Sequence, residues 1–388
     1  MPISTGLEVL RAQHYLPLHG KRVGLMTNPG ATDAQFNTTY QLFTHAPEIQ
    51  LVALFGPEHG FVGAAADGAE VNSSVDPHTG MPVYSLYGAT LRPTAEMLKN
   101  VDVLVCDIQD IGVRYYTYLW TISYILEAAG EYGLEVMLLD RPNPLGGMVV
   151  AGPPLDPSVA SFVGRHPIPV QHGMTLGEMA QFLNANYNPY PAKLTVIPCD
   201  GWRRAMTWQD TGRVWVPTSP AIGHLSAVQH YPGACFLEGT ALSEGRGTTL
   251  PFEVVGAPYI DGIALAESLN VQNWPGVRFR PHSFQPTSSK WAGQECQGVQ
   301  AHITDLAQWR PIEMWLKAIC HIRALYPEKF EWSPIHPKTG RCHFDLLTGS
   351  PTMREAIEAG ASVEELTAGW GQFCSEFERR RQPFLLYE

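Results

Sequence analysis

Apolar residues along this chain fall into short unbroken runs more often than into alternating ones. Arg22–Met26 (RVGLM), Leu51–Phe55 (LVALF), Val101–Ile108 (VDVLVCDI) and Leu134–Leu139 (LEVMLL) each predict a strand, and Pro82–Leu86 a shorter one. Between them the spacing shifts to a helical period. Ser4–Leu16 reads as a helix capped by Thr5 or Ser4, with Leu7, Leu10 and His14 on one face, and Phe36–Thr44 reads as a second. Tyr116–Gly133 is apolar nearly all round, through Leu119, Trp120, Ile122, Ile125 and Leu126, and so should be buried on most sides. Strands that do not alternate, separated by helices or long crossovers, are the pattern of a parallel sheet covered on both faces.

The second half is more mixed. Thr175–Asn186 predicts a helix with Thr175 as N-cap and Glu178 completing a capping box. Leu194–Pro198, Val214–Val216, Val277–Phe279 and Val299–Ile303 read as strands; Gly262–Leu269 and Ile312–Leu325 read as helices. Ser350 or Thr352 opens a further short helix, and Glu364–Arg380 forms the last. With 388 residues the chain can build two cores, and the boundary is placed near Pro220–Tyr231, giving domains 1–225 and 226–388.

Polar residues gather where the apolar runs stop. Asn28 follows the first run, Glu58 and His59 follow the second inside Gly56-Pro57-Glu58-His59-Gly60, Asp107, Asp110 and Arg114 follow Val101–Ile108, and Asp140, Arg141 and Asn143 follow Leu134–Leu139. Ligands of open α/β sheets bind beyond the carboxyl ends of the strands, so these clusters specify one cleft. Each also has a plainer reading. Glu58 is a general acid, a metal ligand or a loop carboxylate, and partial burial among Leu54, Phe55 and Phe61 would favour the acid. His59 is its partner or a packed loop histidine. Asp107 and Asp110 meet a sugar hydroxyl or fix Arg114, and Asp140 and Arg141 bind ligand or satisfy loop backbone. Tyr116 and Tyr118 stack on a sugar or belong to the core. His172 lies just before the Thr175 helix. A second dense cluster runs through Glu238-Gly239-Thr240 and Ser243-Glu244-Gly245-Arg246-Gly247-Thr248-Thr249. There two glycines flank Arg246 and leave its guanidinium room to reach a carboxylate.

Composition narrows the classes. Charged residues are only 16% and hydrophobic residues 45%, as expected of a well-folded chain, and the net charge of −11 argues against a nucleic-acid or anionic-membrane partner. The seven cysteines are scattered without a CxxC, so buried free thiols are expected. His59, His172, Asp107 and Asp140 would be the recruits for a metal, but no HxxxH or HxH spacing supports one, and no cofactor is expected. A GxSxG elbow is missing, and Thr27-Asn28-Pro29-Gly30 stands where a dinucleotide site would need GxGxxG. With no leader-like or membrane-length apolar run, the sequence as written reads as cytoplasmic, or as periplasmic or secreted if a leader has been trimmed.

Several of these motifs together resemble the NamZ family of exo-β-N-acetylmuramidases, formerly a domain-of-unknown-function family, DUF1343. They are the Gly56–Gly60 motif, Asp107–Tyr118 (DIQDIGVRYYTY), Asp140–Pro144 (DRPNP), Gln171–Glu178 (QHGMTLGE), Glu238–Thr240, Ser243–Thr249 and Gly298–His302 (GVQAH). The resemblance covers roughly residues 20–386. It implies a Rossmann-like parallel-sheet N-terminal domain, a smaller α/β C-terminal domain and an active cleft between them. It also implies release of N-acetylmuramic acid from non-reducing ends of peptidoglycan fragments such as a MurNAc-GlcNAc saccharide, with Glu58 as the essential carboxylate. In that reading Arg246 or Arg114 pairs with the lactyl carboxylate, while Asn28, Tyr116, Asp140, Arg141, Asn143, His172, Glu244 and Thr248 contribute to substrate binding. The second catalytic group is a carboxylate (Asp107, Asp110, Asp140 or Glu244) or the substrate's own 2-acetamido oxygen, and His59 is a further catalytic candidate beside Glu58. Two positions depart from the family: members commonly carry Arg where this chain has Val62 and Asn where it has Ala241.

Overall fold

The computed structural model describes residues 3–66, 68–337 and 339–388. The unbroken apolar runs become strands, buried along most of their length except in Pro82–Ser85, where only Ser85 is buried. They are β1 (Arg22–Thr27), β2 (Gln50–Gly56), β4 (Pro82–Ser85), β5 (Val103–Asp107) and β6 (Glu135–Leu139), joined by β7 (Lys193–Ile197) and a two-residue β3 (Ser74–Val75). Among the described residues these form one sheet in the order β3-β4-β2-β1-β5-β6-β7. Every pairing is parallel except that of β3 with β4. Central β5 is buried at every residue, while edge strand β7 alternates. Taken in chain order, the parallel strands run 3-2-1-4-5-6, the doubly wound Rossmann order. The winding reverses between β1 and β5, where Thr27 pairs with Asp107 at the carboxyl edge. Asn28 and the residues after Asp107 therefore flank the topological switch point.

Helix α1 (Gly6–Ala12) is capped by Thr5, one of the two expected caps, in an unexpected capping box with Glu8, and it ends before His14, which leaves the apolar face. His14 and Tyr15 lie at φ 51 and 53, a left-handed pair that stops the helix. Helix α2 (Thr39–His45) starts three residues later than expected, because Thr38 caps it and Phe36 stays in the preceding loop at φ 65. After short α3 (Ala95–Leu98), α4 (Tyr118–Tyr132) ends at left-handed Gly133, and α5 (Leu176–Asn186) carries the expected Thr175–Glu178 capping box. One sheet face packs Val23, Leu25, Leu54, Val103 and Val105 against Leu7, Leu10 and Phe43 of α1 and α2. Alternation leaves the buried Met26, Leu104, Cys106 and Leu138 for the other face, and α4 packs on α5 and against β6 and β7.

Two compact units emerge. The first, residues 1–149, 172–223 and 379–388, contains the parallel sheet. The second, residues 150–171 and 224–378, holds α6 (Leu225–Ala234), β8 (Val254–Ala257), α7 (Gly262–Val271), β9 (Val277–Phe284), β10 (Cys296–Ile303) and α8 (Pro311–Leu325). Its sheet is antiparallel in the order β8-β10-β9, with α7 packed on β9 and β10. Val214–Val216 is irregular, not a strand, and the expected last helix is split into Val363–Thr367 and Trp370–Arg381. All seven cysteines are free, and all but Cys320 are buried. Among the described residues no helix is long and apolar enough to cross a membrane.

Candidate active site

The loop after β2 is folded back tightly on the strand end. A Cβ at Gly56 would come within 2.5 Å of the Phe61 amide nitrogen, so only glycine permits the turn. His59 and Gly60 follow at φ 67 and 76. This turn leaves Glu58 9% exposed and places each carboxylate oxygen on a donor. Thr117 Oγ1 donates to Oε2 at 2.5 Å, and the Gly68 amide donates to Oε1 at 3.0 Å. Thr117 is the N-cap residue of α4, yet its hydroxyl caps no helix amide. It is turned to Glu58 instead. His59 packs inward, with Nδ1 2.9 Å from the Ala65 carbonyl oxygen, bracing the same loop.

The switch point gathers a hydrogen-bonded tyrosine pair next to this carboxylate. Asn28 Nδ2 donates to Tyr118 Oη (3.0 Å) and to the Thr218 carbonyl (3.2 Å), and its Oδ1 accepts from the Gly30 amide. Tyr118 donates to the Thr218 carbonyl at 2.5 Å, and Tyr116 Oη lies 2.6 Å from Thr218 Oγ1. The two rings meet edge to face with centroids 4.8 Å apart. Burial raises both phenols, and the charge of Glu58 pushes Tyr118 further while that of Asp110 does the same to Tyr116. The tyrosine pair thus has a carboxyl group near each end.

Asp110 is the second of these. The Gly112 amide donates to its Oδ2 at 2.7 Å, whereas Oδ1 is buried without a hydrogen-bond partner among the described residues. Burial outweighs the backbone bonds and pushes this carboxyl up to about 7. Arg114 itself is fully enclosed, and the lost hydration lowers its guanidinium to about 10.

Most of the remaining predicted residues of this unit are engaged by one another or by backbone, while His172 Nε2 is buried without a hydrogen-bond partner among the described residues. Arg141 grips Asp107 with Nε and Nη2 at 2.5 and 2.9 Å and reaches the Thr32 carbonyl with Nη1, while Thr39 donates to Asp107 Oδ2. Asp140 accepts from Thr175 Oγ1 and Tyr387 Oη at 2.6 Å each, and from the amides of Gly177 and Arg141. Asn143 spans the Met174 carbonyl and the Leu145 amide. His172 is buried, with Nδ1 accepting from the Met174 amide at 3.2 Å. Desolvation, aided by the nearby Arg381 and Arg204, lowers it to about 3, so it stays neutral. Among the described residues no three His, Cys, Asp or Glu side chains converge as metal ligands, and His59, His172, Asp107 and Asp140 do not form such a set.

In the second unit, Arg246 sits between two acids, 2.8 Å from Glu238 Oε1 and 3.4 Å from Glu244 Oε1, with its guanidinium 5.0 Å above the Phe252 ring. Glu244 is also paired with Lys290 at 2.6 Å. Arg246 holds Glu238 well below the usual carboxylate range despite its burial. Thr248 closes the turn, donating to the Gly245 carbonyl at 2.6 Å and accepting from the Leu250 amide.

Residues 23–226 match the family profile of the exo-β-N-acetylmuramidase NamZ N-terminal domain, and residues 229–387 match that of its C-terminal domain. The chain belongs to the NamZ family. It is a glycoside hydrolase by class. Over 385 residues, 99% of this chain and 91% of the relative, it is 45% identical to the peptidoglycan β-N-acetylmuramidase NamZ of Bacillus subtilis strain 168. Two crystal structures of DUF1343 family proteins from Bacteroides fragilis NCTC 9343 are similar over the whole of this chain. One has a TM-score of 0.92 at 39% identity and covers 100% of that chain, the other 0.76 at 31% and 99%. Val62 is 76% exposed just beyond Glu58. Ala241 is held by backbone bonds alone, its amide donating to Glu331 and its carbonyl accepting from Trp291 Nε1. Thr117, Thr218 and Tyr387 were not foreseen as part of this NamZ framework. Thr117 stands inside the Asp107–Tyr118 motif, but a threonine opening a helix reads as an ordinary cap.

Proposed function

We propose that this chain is an exo-acting muramidase that releases N-acetylmuramic acid from non-reducing ends of peptidoglycan fragments such as a MurNAc-GlcNAc saccharide, with Glu58 as general acid and base. The observation that carries the assignment is the fixing of both Glu58 oxygens, by Thr117 and by Gly68, beside the switch point of a Rossmann-ordered sheet. A proton donor to a glycosidic oxygen has to be held within a few tenths of an ångström of its working position, and two bonds on a largely buried side chain do that. Glu58 protonates the glycosidic oxygen as the C1–O bond breaks and positive charge develops at the anomeric carbon. We assign Asp110, whose Oδ1 is buried without a hydrogen-bond partner among the described residues, to steadying the 2-acetamido group as its oxygen attacks C1. Asp107, Asp140, Arg141 and Asn143 support the loops that carry these groups, since their polar atoms are committed to one another and to backbone.

The test is release of chromophore from para-nitrophenyl β-N-acetylmuramide, with the N-acetylglucosaminide beside it. Wild type should turn over the muramide selectively, and Glu58→Gln should lose about 10²–10⁴-fold, the range for a general acid. A loss below about tenfold, near 1.4 kcal/mol, removes Glu58 from that role. Exposed Val62, where NamZ members commonly carry Arg, favours one other reading, a muropeptide-binding protein without turnover. Binding of a muropeptide with no sugar released from it would identify that case.

A further inference from the structure

A cavity of about 240 Å³ opens in the first unit beside the switch point, and none of the Glu58 cluster lines it. Its lining includes Phe36, Trp208 and Val214 together with Gln109, Arg141, Arg213 and Asp33, whose carboxylate is paired with Arg11 at 3.0 Å. Three features show what it suits. Gln109 is 3% exposed, and its Nε2 donates to the carbonyls of Asp110 (2.7 Å) and Pro142 (2.9 Å). Carbonyls only accept, so the atom between them must be the nitrogen. Oε1 is then the free end of a side chain that lines the cavity, and it accepts no hydrogen bond from the described residues. Secondly, both guanidinium charges are already answered, Arg213 by Glu8 at 2.8 Å and Arg141 by Asp107, so an anion gains little there. Thirdly, two large apolar side chains stand exposed on the walls, Val214 at 67% and Phe36 at 56%. Phe36 is held out at φ 65 by a loop that Asp33 ties down through the amides of Gln35 and Asn37 and through Arg11.

A buried amide acceptor, guanidinium N–H groups of compensated charge and an aromatic wall are the chemistry of a neutral, hydroxylated ring. The volume falls below the ~300–1,000 Å³ of drug-sized sites and suits a single sugar unit. We propose that this cavity is a binding site for one neutral hexosamine of the N-acetylglucosamine type, separate from the Glu58 carboxylate. The preference for a neutral hydroxylated ring rests on the cavity alone; the choice of an amino sugar rests on the proposed activity.

The experiment titrates N-acetylglucosamine and, separately, N-acetylmuramic acid into the full-length Glu58→Gln protein, with binding followed by calorimetry and by saturation-transfer NMR. Phe36→Ala and Gln109→Ala are then added singly to that background, and their folding is checked by thermal melting. The proposal expects N-acetylglucosamine to bind the Glu58→Gln protein and each added substitution to weaken it at least tenfold. Because Gln109 is buried, Phe36→Ala decides the matter if Gln109→Ala does not fold. Binding unchanged by Phe36→Ala, or no binding at about 10 mM, overturns the site. Equal loss of N-acetylmuramic acid binding in both variants overturns its preference for neutral sugars. Failure of Glu58→Gln to impair turnover would defeat the catalytic assignment and leave this result standing.

Discussion

Thr117 shows how one hydroxyl changes the reading of a motif. A threonine at the start of a helix ordinarily satisfies a backbone amide, and this one bonds Glu58 instead. Thr117→Val should lower kcat for the muramide by about tenfold, the worth of one hydrogen bond to a charged group near 1.4 kcal/mol, with KM little changed. Thr117→Ser, which keeps the hydroxyl, should recover most of it; equal loss in both variants would mean that only packing was disturbed. Asp110 makes a different prediction. Its folded value of about 7 lies above the ordinary 3.8, so the fold favours the protonated form. Its contribution to stability is fully present below about 3.8 and is lost as pH rises through about 7. Asp110→Asn is neutral throughout, so wild type should lose more Tm than the variant between about pH 5 and about pH 8. Parallel melting profiles would contradict the burial argument. From sequence, the positions of Glu58 and Asp110 at strand ends were legible, because a strand end is a local signal. The partners were not: Asp140 is satisfied by residues as distant as Thr175 and Tyr387, and no local pattern announces such bonds.

At the scale of elements, the readable ones were those whose stability is local or whose burial is continuous. The Thr175–Glu178 box forms as expected, and the apolar runs of β1, β2, β5 and β6 hardly shift in their bounds. Val214–Val216 has strand-like residues but no neighbouring strand to bond, and pairing is never visible in one segment. Helix α6 was passed over because Pro232 and Gly233 stand inside it, and both are poor helix formers. The segment Gln382–Glu388 shows what a short stretch can hold. Leu386 donates its amide to Glu178, and Tyr387 Oη bonds Asp140 while accepting from the Cys199 amide. Tyr387→Phe leaves a buried carboxylate short of one donor and a backbone amide without its acceptor. Its expected cost is about 1–3 kcal/mol, read as a lower urea midpoint at an unchanged m-value. An unchanged midpoint would mean that water replaces the hydroxyl.

For the whole molecule, composition argued against nucleic-acid partners, and the class of sheet followed from strands that do not alternate. Strand order was not legible, since it depends on which buried faces meet across dozens of residues, yet it is strand order that sets Asn28 beside Asp107 and so creates the switch point. The chain also leaves the first unit at residue 223 and returns to it only at residue 379. On a ribosome that path becomes a delay. After the last strand of the large sheet has emerged, about 155 residues of the other unit must be made before Tyr387 exists. At ~5–20 residues per second this lasts on the order of ten to thirty seconds. Throughout that interval the nascent sheet carries Asp140 without its tyrosine and Glu178 without the Leu386 amide. The carboxyl edge that carries the candidate chemistry is then the last part of the protein to set.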